Sequence, residues 1–255
     1  MPSFEELVDE AVSTPFVGWD WSHLEDRVVR EGTPWGYTER VNGLAADVDA
    51  ILDLGTGGGE FFSAISPKPR LAVATESYEP NVSVAHERLR AVGAYVVASD
   101  GAHDNAEQTF DDASGPLPFL DASFDVVIDR HTAFRPAEVA RVLRPDGTFL
   151  TQQVGGLDCI EIGEVLGGVT PCPAPTVDEY VAQLTGAGFD VRVAREAFCA
   201  KTFLDIGALL LYMLPIPWAF RGFDLDRHRE RLRTMHDAGP VTCHEHRLLF
   251  EAVRA

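Results

Sequence analysis

The chain has 255 residues, of which 45% are hydrophobic, 24% charged and 9% aromatic. That is the balance of an ordinary globular protein, and it excludes a disordered chain, a collagen and a disulfide-knotted miniprotein. With 21 basic residues against 40 acidic ones the net charge is −19, and a surface of that sign repels a phosphate backbone, which disfavours nucleic acid as a partner.

The four cysteines, Cys159, Cys172, Cys199 and Cys243, form no Cys-x-x-Cys pair, so neither a zinc ribbon nor a thioredoxin motif is expected. The acidic N-terminal residues lack the basic-then-apolar pattern of a secretory signal. Free thiols and a cytoplasmic location are the expectation. The longest apolar run, 208–214, has seven residues, whereas a membrane span needs about 20. His244 and His246 lie near Cys243 but lack a clear third and fourth ligand, so no metal site is expected.

Taken along the chain, residues 1–45 read as helix and loop and carry Trp19, Trp21, Trp35 and Tyr37. Residues 51–54 are a short buried strand that runs into glycines, and 71–75 are a second strand. Helical spacing over 82–92 stops at Gly93, and 95–98 form a third strand. Residues 124–129 are a fourth strand. A helix over 136–143 is opened by Pro136 and closed by an Arg-Pro-Asp-Gly turn. Residues 148–154 form a fifth strand, 177–187 a helix ended by Gly188, 189–194 a sixth strand and 247–253 a seventh. Strand and helix repeated at this pitch predict a parallel sheet with helices on both faces. Ligands then bind at the carboxyl ends of the strands, where strand order reverses.

The most informative stretch is Ile51-Leu-Asp-Leu-Gly-Thr-Gly-Gly-Gly-Glu60. Its glycines let the backbone turn sharply and approach a ligand. A dinucleotide fingerprint, G-x-G-x-x-G, would place its third glycine at position 60. Glu60 stands there, and its carboxylate would face a pyrophosphate. The pattern that does fit is apolar-apolar-acid-apolar-G-x-G-x-G, through Asp53, Gly55, Gly57 and Gly59.

In that pattern the chain resembles the class I S-adenosylmethionine-dependent methyltransferase family. The resemblance covers roughly residues 45–195, and the last strand fits as well. Two further stretches carry it: Pro116-Leu-Pro-Phe-Leu-Asp-Ala-Ser-Phe-Asp-Val-Val-Ile-Asp129, and Glu138-Val-Ala-Arg-Val-Leu-Arg-Pro-Asp-Gly-Thr-Phe-Leu150. Both resemble the type 11 subgroup, in the right order after the glycine loop. The resemblance implies S-adenosyl-L-methionine as cofactor, with Asp53, Gly55, Thr56, Gly57 and Gly59 around its amino acid part. Glu76, at the end of the second strand, offers two oxygens to two vicinal ribose hydroxyls, and Ser77 follows it. The resemblance puts Asp100 at the adenine amino group, with Gly101 beside the ring. It gives the end of the fourth strand to the acceptor, so that Asp129 contacts the cofactor or orients a histidine. His131 is the candidate catalytic residue, a base near neutral pH or an acceptor contact. Of the neighbours Gln152 and Gln153, one is expected to face the same rim, because adjacent strand residues alternate.

The expected fold is therefore a Rossmann-like, doubly wound α/β sheet of seven strands, mostly parallel with an antiparallel last strand. Residues 1–255 form a single domain: a cap over 1–45, a cofactor core over 46–199, a helical lid over 200–240 and a final strand over 241–255. The expected activity is methyl transfer to a small organic acceptor. The alternatives are a non-catalytic S-adenosylmethionine-binding protein and an NAD(P)-dependent oxidoreductase.

Overall fold

The N-terminal segment opens with helix α1 (Phe4–Ser13), whose Ser3 and Glu6 form a reciprocal capping box that satisfies two donors of the first turn. A 3-10 turn at Ser22–Leu24 leads to strand β1 (Val28–Arg30), and helix α2 (Tyr37–Ala46) follows. The structure, a computed structural model, describes residues 2–16, 19–100, 102 and 115–255.

Alternation then sets in. Strand β2 (Ala50–Leu54) is buried along its whole length, helix α3 (Glu60–Ala64) is a short turn after the glycine loop, and strand β3 (Leu71–Glu76) is buried from Ala72 onward. Helix α4 (Glu79–Arg90) begins with Pro80 in its first turn and carries Arg88 and Arg90 in its last, the placement a helix dipole favours. Strand β4 (Tyr95–Ala98), strand β5 (Phe124–Arg130), helix α5 (Pro136–Val142) and strand β6 (Leu143–Val154) come next. Helix α6 (Ile160–Leu166), helix α7 (Val177–Gly186), strand β7 (Phe189–Phe203), helix α8 (Ile206–Met213), helix α9 (Leu225–Ala238) and strand β8 (Val241–Arg254) complete the chain.

Among the described residues the sheet has eight strands, ordered β1-β7-β8-β6-β5-β2-β3-β4. The seven-stranded expectation is corrected by β1, which pairs antiparallel with β7 through Val28 opposite Phe203 and Arg30 opposite Lys201. Three residues with no apolar alternation carry no strand signal of their own; β1 exists because β7 presents it an edge. Strand β6 also starts earlier than expected. The Arg-Pro-Asp-Gly turn lies within it: Phe124 pairs with Leu143 and Val126 with Thr148, so residues 144–147 stand out of the ladder, with Asp146 at φ 62°. The pairs β2–β3, β2–β5, β3–β4 and β5–β6 are parallel. Chain order reverses at β2, flanked by β3 and β5, so the switch point where such sheets bind ligands falls at its carboxyl end.

The chain forms two compact units. One comprises Met1–Thr33, Gly155–Pro173 and Ala197–Arg247; the other comprises Pro34–Val154, Ala174–Glu196 and Leu248–Ala255. The first is built on Phe4, Leu7, Phe203 and the whole of α8, every residue of which is buried. This is the 208–214 apolar run, an internal helix. His244 in this unit bonds Glu161 at 2.5 Å, and His246 stacks on Phe198. The second unit packs Leu52, Val127, Phe149, Tyr180, Leu184 and Phe250 around β2, β5 and β6. Among the described residues no helix is long and apolar enough to cross a membrane.

Candidate functional site

The loop after β2 lies in the second unit, at the switch point. Gly55 has φ 61°, and a Cβ there would come within 2.3 Å of Thr132 Oγ1. A side chain is therefore excluded both by backbone conformation and by space. The loop is tied to β3: the Gly55 amide donates to Thr75 Oγ1 at 3.2 Å and the Thr56 amide to the Thr75 carbonyl at 2.9 Å. Glu76 is buried, and both of its oxygens accept backbone amides, from Gly57 at 2.7 Å and Tyr78 at 2.8 Å. Each carboxylate oxygen has a second lone pair, so Glu76 can brace the loop and still accept from a ligand.

Two acids sit under this loop on adjacent strands, with Leu54 paired in register to Asp129. Asp53 is buried on β2, and its carboxyl is pushed up to about 7 by that burial. Asp129, wholly buried on β5, is held well above the usual carboxylate range for the same reason. One Asp129 oxygen accepts from Gln153 Nε2 at 2.7 Å, from Thr151 Oγ1 at 3.3 Å and from the Thr132 amide at 3.3 Å; its other oxygen, Oδ2, is buried without a partner. A cation or hydroxyl of a ligand, such as those of S-adenosylmethionine, would favour the ionised form of these buried acids, whereas a diphosphate would oppose it. Glu60, at the first position of α3, turns to Arg88, a further carboxylate where a pyrophosphate would lie.

Beside the loop is a cleft enclosing roughly 480 Å³ with its open mouth. Gly55, Ser77 and Asp100 line it, together with Thr132, Arg135 and Glu138. Of the residues nominated from sequence, Asp53, Glu76 and Asp129 lie buried beneath the loop, and Gly101 is outside the described residues. His131 is exposed, follows the last residue of β5 and has φ 67°, a left-handed conformation uncommon for a side-chain-bearing residue. Its Nε2 lies 2.9 Å from Gln152 Nε2. The two glutamines divide as strand alternation requires: Gln153 serves Asp129, and Gln152 serves His131 and Trp35, whose indole N–H donates to Gln152 Oε1 at 2.7 Å.

Sequence reasoning missed Thr75, Thr132, Arg135 and the part played by Trp35. Thr132 and Arg135 carried a signal, since they follow a strand end in a fold that binds ligands at strand ends. Trp35 carried none: 117 residues separate it from Gln152.

Residues 52–151 match a family model described as a methyltransferase domain. The chain is 31% identical over 144 residues to the uncharacterized methyltransferase YcgJ of Bacillus subtilis, an alignment covering 54% of this chain and 53% of that protein. It therefore spans about half the length of the curated relative it matches. Its fold is shared with a putative methyltransferase of Bacillus halodurans (TM-score 0.59, 19% identity, 85% of this chain and 98% of that one). The crystal structure of YcgJ has the same fold (0.57, 17%, 86% and 97%), as does the [4+2]-cyclase SpnF (0.54, 13%, 98% and 92%). The likeness to class I S-adenosylmethionine-dependent methyltransferases thus rests on residues 52–151, the segment that matches the methyltransferase-domain model.

Proposed function

We propose that the protein transfers a methyl group from S-adenosylmethionine to a small organic acceptor. The observation that carries this reading is the acid-lined glycine loop at the switch point. Asp53, Glu76 and Asp129 lie buried at the strand ends around the turn that Gly55 makes in the left-handed region, an environment for a ligand with an ammonium, a sulfonium and a ribose. In this reading Glu76 takes the ribose hydroxyls and braces the loop through Gly57. Asp53 faces the ammonium side, Ser77 and Asp100 extend the site along the cleft toward the adenine, and His131 stands on the acceptor side.

The chemistry that S-adenosylmethionine supplies when bound is an electrophilic methyl: the acceptor's lone pair forms the new bond as the carbon–sulfur bond breaks and its electrons go to sulfur. The chain contributes alignment, since two reactants held in line recover much of the entropy cost of meeting. The preference for a small acceptor over a nucleic acid rests on the net charge of −19. Methyl transfer is also a narrower statement than the fold, because the same fold is found in a [4+2]-cyclase.

The test is a calorimetric panel of S-adenosylmethionine, its demethylated product and NAD. Binding of both sulfur nucleosides with little or no NAD binding is expected. Tight NAD binding with no heat from either sulfur nucleoside would sink the reading. Turnover against a metabolite extract, followed by release of the demethylated product, separates an enzyme from a non-catalytic binder.

A further inference from the structure

Trp35, Gln152 and His131 form a chain whose polarity is set at one end. The indole nitrogen of Trp35 only donates, and it meets Gln152 Oε1 at 2.7 Å with Trp35 and Gln152 both buried. This fixes which end of the Gln152 amide is oxygen. The opposite end, Nε2, also only donates, and it meets His131 Nε2 at 2.9 Å. That imidazole nitrogen must therefore accept.

We infer that Trp35, acting through Gln152, holds His131 as the neutral imidazole with its proton on Nδ1, so that His131 is a hydrogen-bonding group of fixed polarity and not the base that deprotonates the acceptor. This rests on the reading above only in placing His131 on the acceptor side. The basic lone pair of the ring is engaged by Gln152, so taking up a proton there would set two donors face to face. An acceptor whose lone pair is already available at neutral pH, such as an ionised oxygen acid, needs no base from His131. Arg130, next to His131 in sequence and resting on the Phe61 ring at 4.4 Å, is a cation that suits an anionic acceptor. Trp35 and Gln152 are positioning residues for His131.

The experiment is imidazole nitrogen-15 spectroscopy on the full chain at neutral pH, with the His131 signal assigned by its loss in His131→Gln. The parent is expected to show the Nδ1–H tautomer. Gln152→Glu keeps the shape but puts an acceptor opposite Nε2, and should move His131 to a form protonated on Nε2. Trp35→Phe removes the donor that fixes the Gln152 oxygen and should shift the His131 tautomer ratio away from the parent's. A parent Nε2–H tautomer, or a parent signal unmoved in Gln152→Glu, overturns the proposal. If Gln152→Glu fails to fold, Trp35→Phe decides alone, and an unmoved His131 signal there also overturns it. The tautomer is read without cofactor. Failure to bind S-adenosylmethionine would therefore count against the methyltransferase reading and leave this result standing.

Discussion

Glu76 braces the glycine loop, because its carboxylate accepts the Gly57 and Tyr78 amides, and in the proposed function it also takes the ribose hydroxyls. Glu76→Ala is expected to weaken S-adenosylmethionine binding by roughly 1.5–3 kcal/mol, the range for hydrogen bonds to a charged group. It should also cost about 1–3 kcal/mol of stability, because a buried amide loses its partner. Calorimetry and denaturant melts read the two effects separately, and a stability loss with unchanged affinity would remove Glu76 from the cofactor site. Asp53 makes a different prediction. Its carboxyl sits at about 7 when folded against an ordinary 3.8, so between those values the folded protein holds a proton that the unfolded chain has lost. Stability from this group is therefore present at low pH, falls as pH rises from about 4 to about 7, and is flat above. Asp53→Asn should flatten that slope, by at most about 4 kcal/mol, as measured by melts of parent and variant at both ends of the window. A ligand ammonium favours the ionised form, so cofactor binding should release a proton near neutral pH, which calorimetry in buffers of different ionisation enthalpy detects.

At the scale of elements, the turn from β2 to α3 and the start of α7 carry separable costs. Gly55→Ala meets Thr132 at 2.3 Å in a left-handed conformation, whereas Gly93 has φ 76° with nothing within 4 Å of the added carbon. Both substitutions should carry the left-handed penalty of about 1–2 kcal/mol, and Gly55→Ala should exceed Gly93→Ala because it also displaces Thr132. Equal melting temperatures for the two would mean that the loop relaxes freely. Helix α7 starts in a capping box between Thr176 and Glu179, and Thr176→Ala should cost about 1 kcal/mol by denaturant melt. These elements show how far local sequence reaches. The limits of β4 coincide with the run of apolar residues at 95–98, and the glycine loop was legible from its motif. Strand β1 was not, because residues 28–30 acquire their extended form from the edge of β7. The early start of β6 was not, because Leu143 enters the ladder through its pairing with Phe124, on the far side of the Arg-Pro-Asp-Gly turn.

At the scale of the whole molecule, charge and topology make the remaining predictions. With a net charge of −19, the protein should leave a DNA duplex unshifted in a gel even at low salt, where phosphate contacts are strongest. A salt-sensitive shift would reveal a basic patch that the overall charge hides. Hydrogen exchange with and without S-adenosylmethionine should show protection within the second unit at the amides of Gly57 and Tyr78, which donate to Glu76. Unchanged exchange at those amides on binding would place the ligand elsewhere.

The sequence by itself determined the alternating strands and helices, the glycine loop with its acid, and the strand-end positions of Glu76 and His131. All of these are encoded within a few neighbouring residues, by periodicity, by glycine's freedom and by the run of apolar side chains. The tertiary structure decided the rest. The eighth strand, the burial that lifts Asp53 and Asp129 above the usual carboxylate range, and the Trp35–Gln152–His131 chain each depend on groups far apart in sequence. The polarity of a histidine is set by its hydrogen-bond partners, and an acid's proton affinity by the water it has lost. Both are properties of surroundings that exist only once the chain has folded.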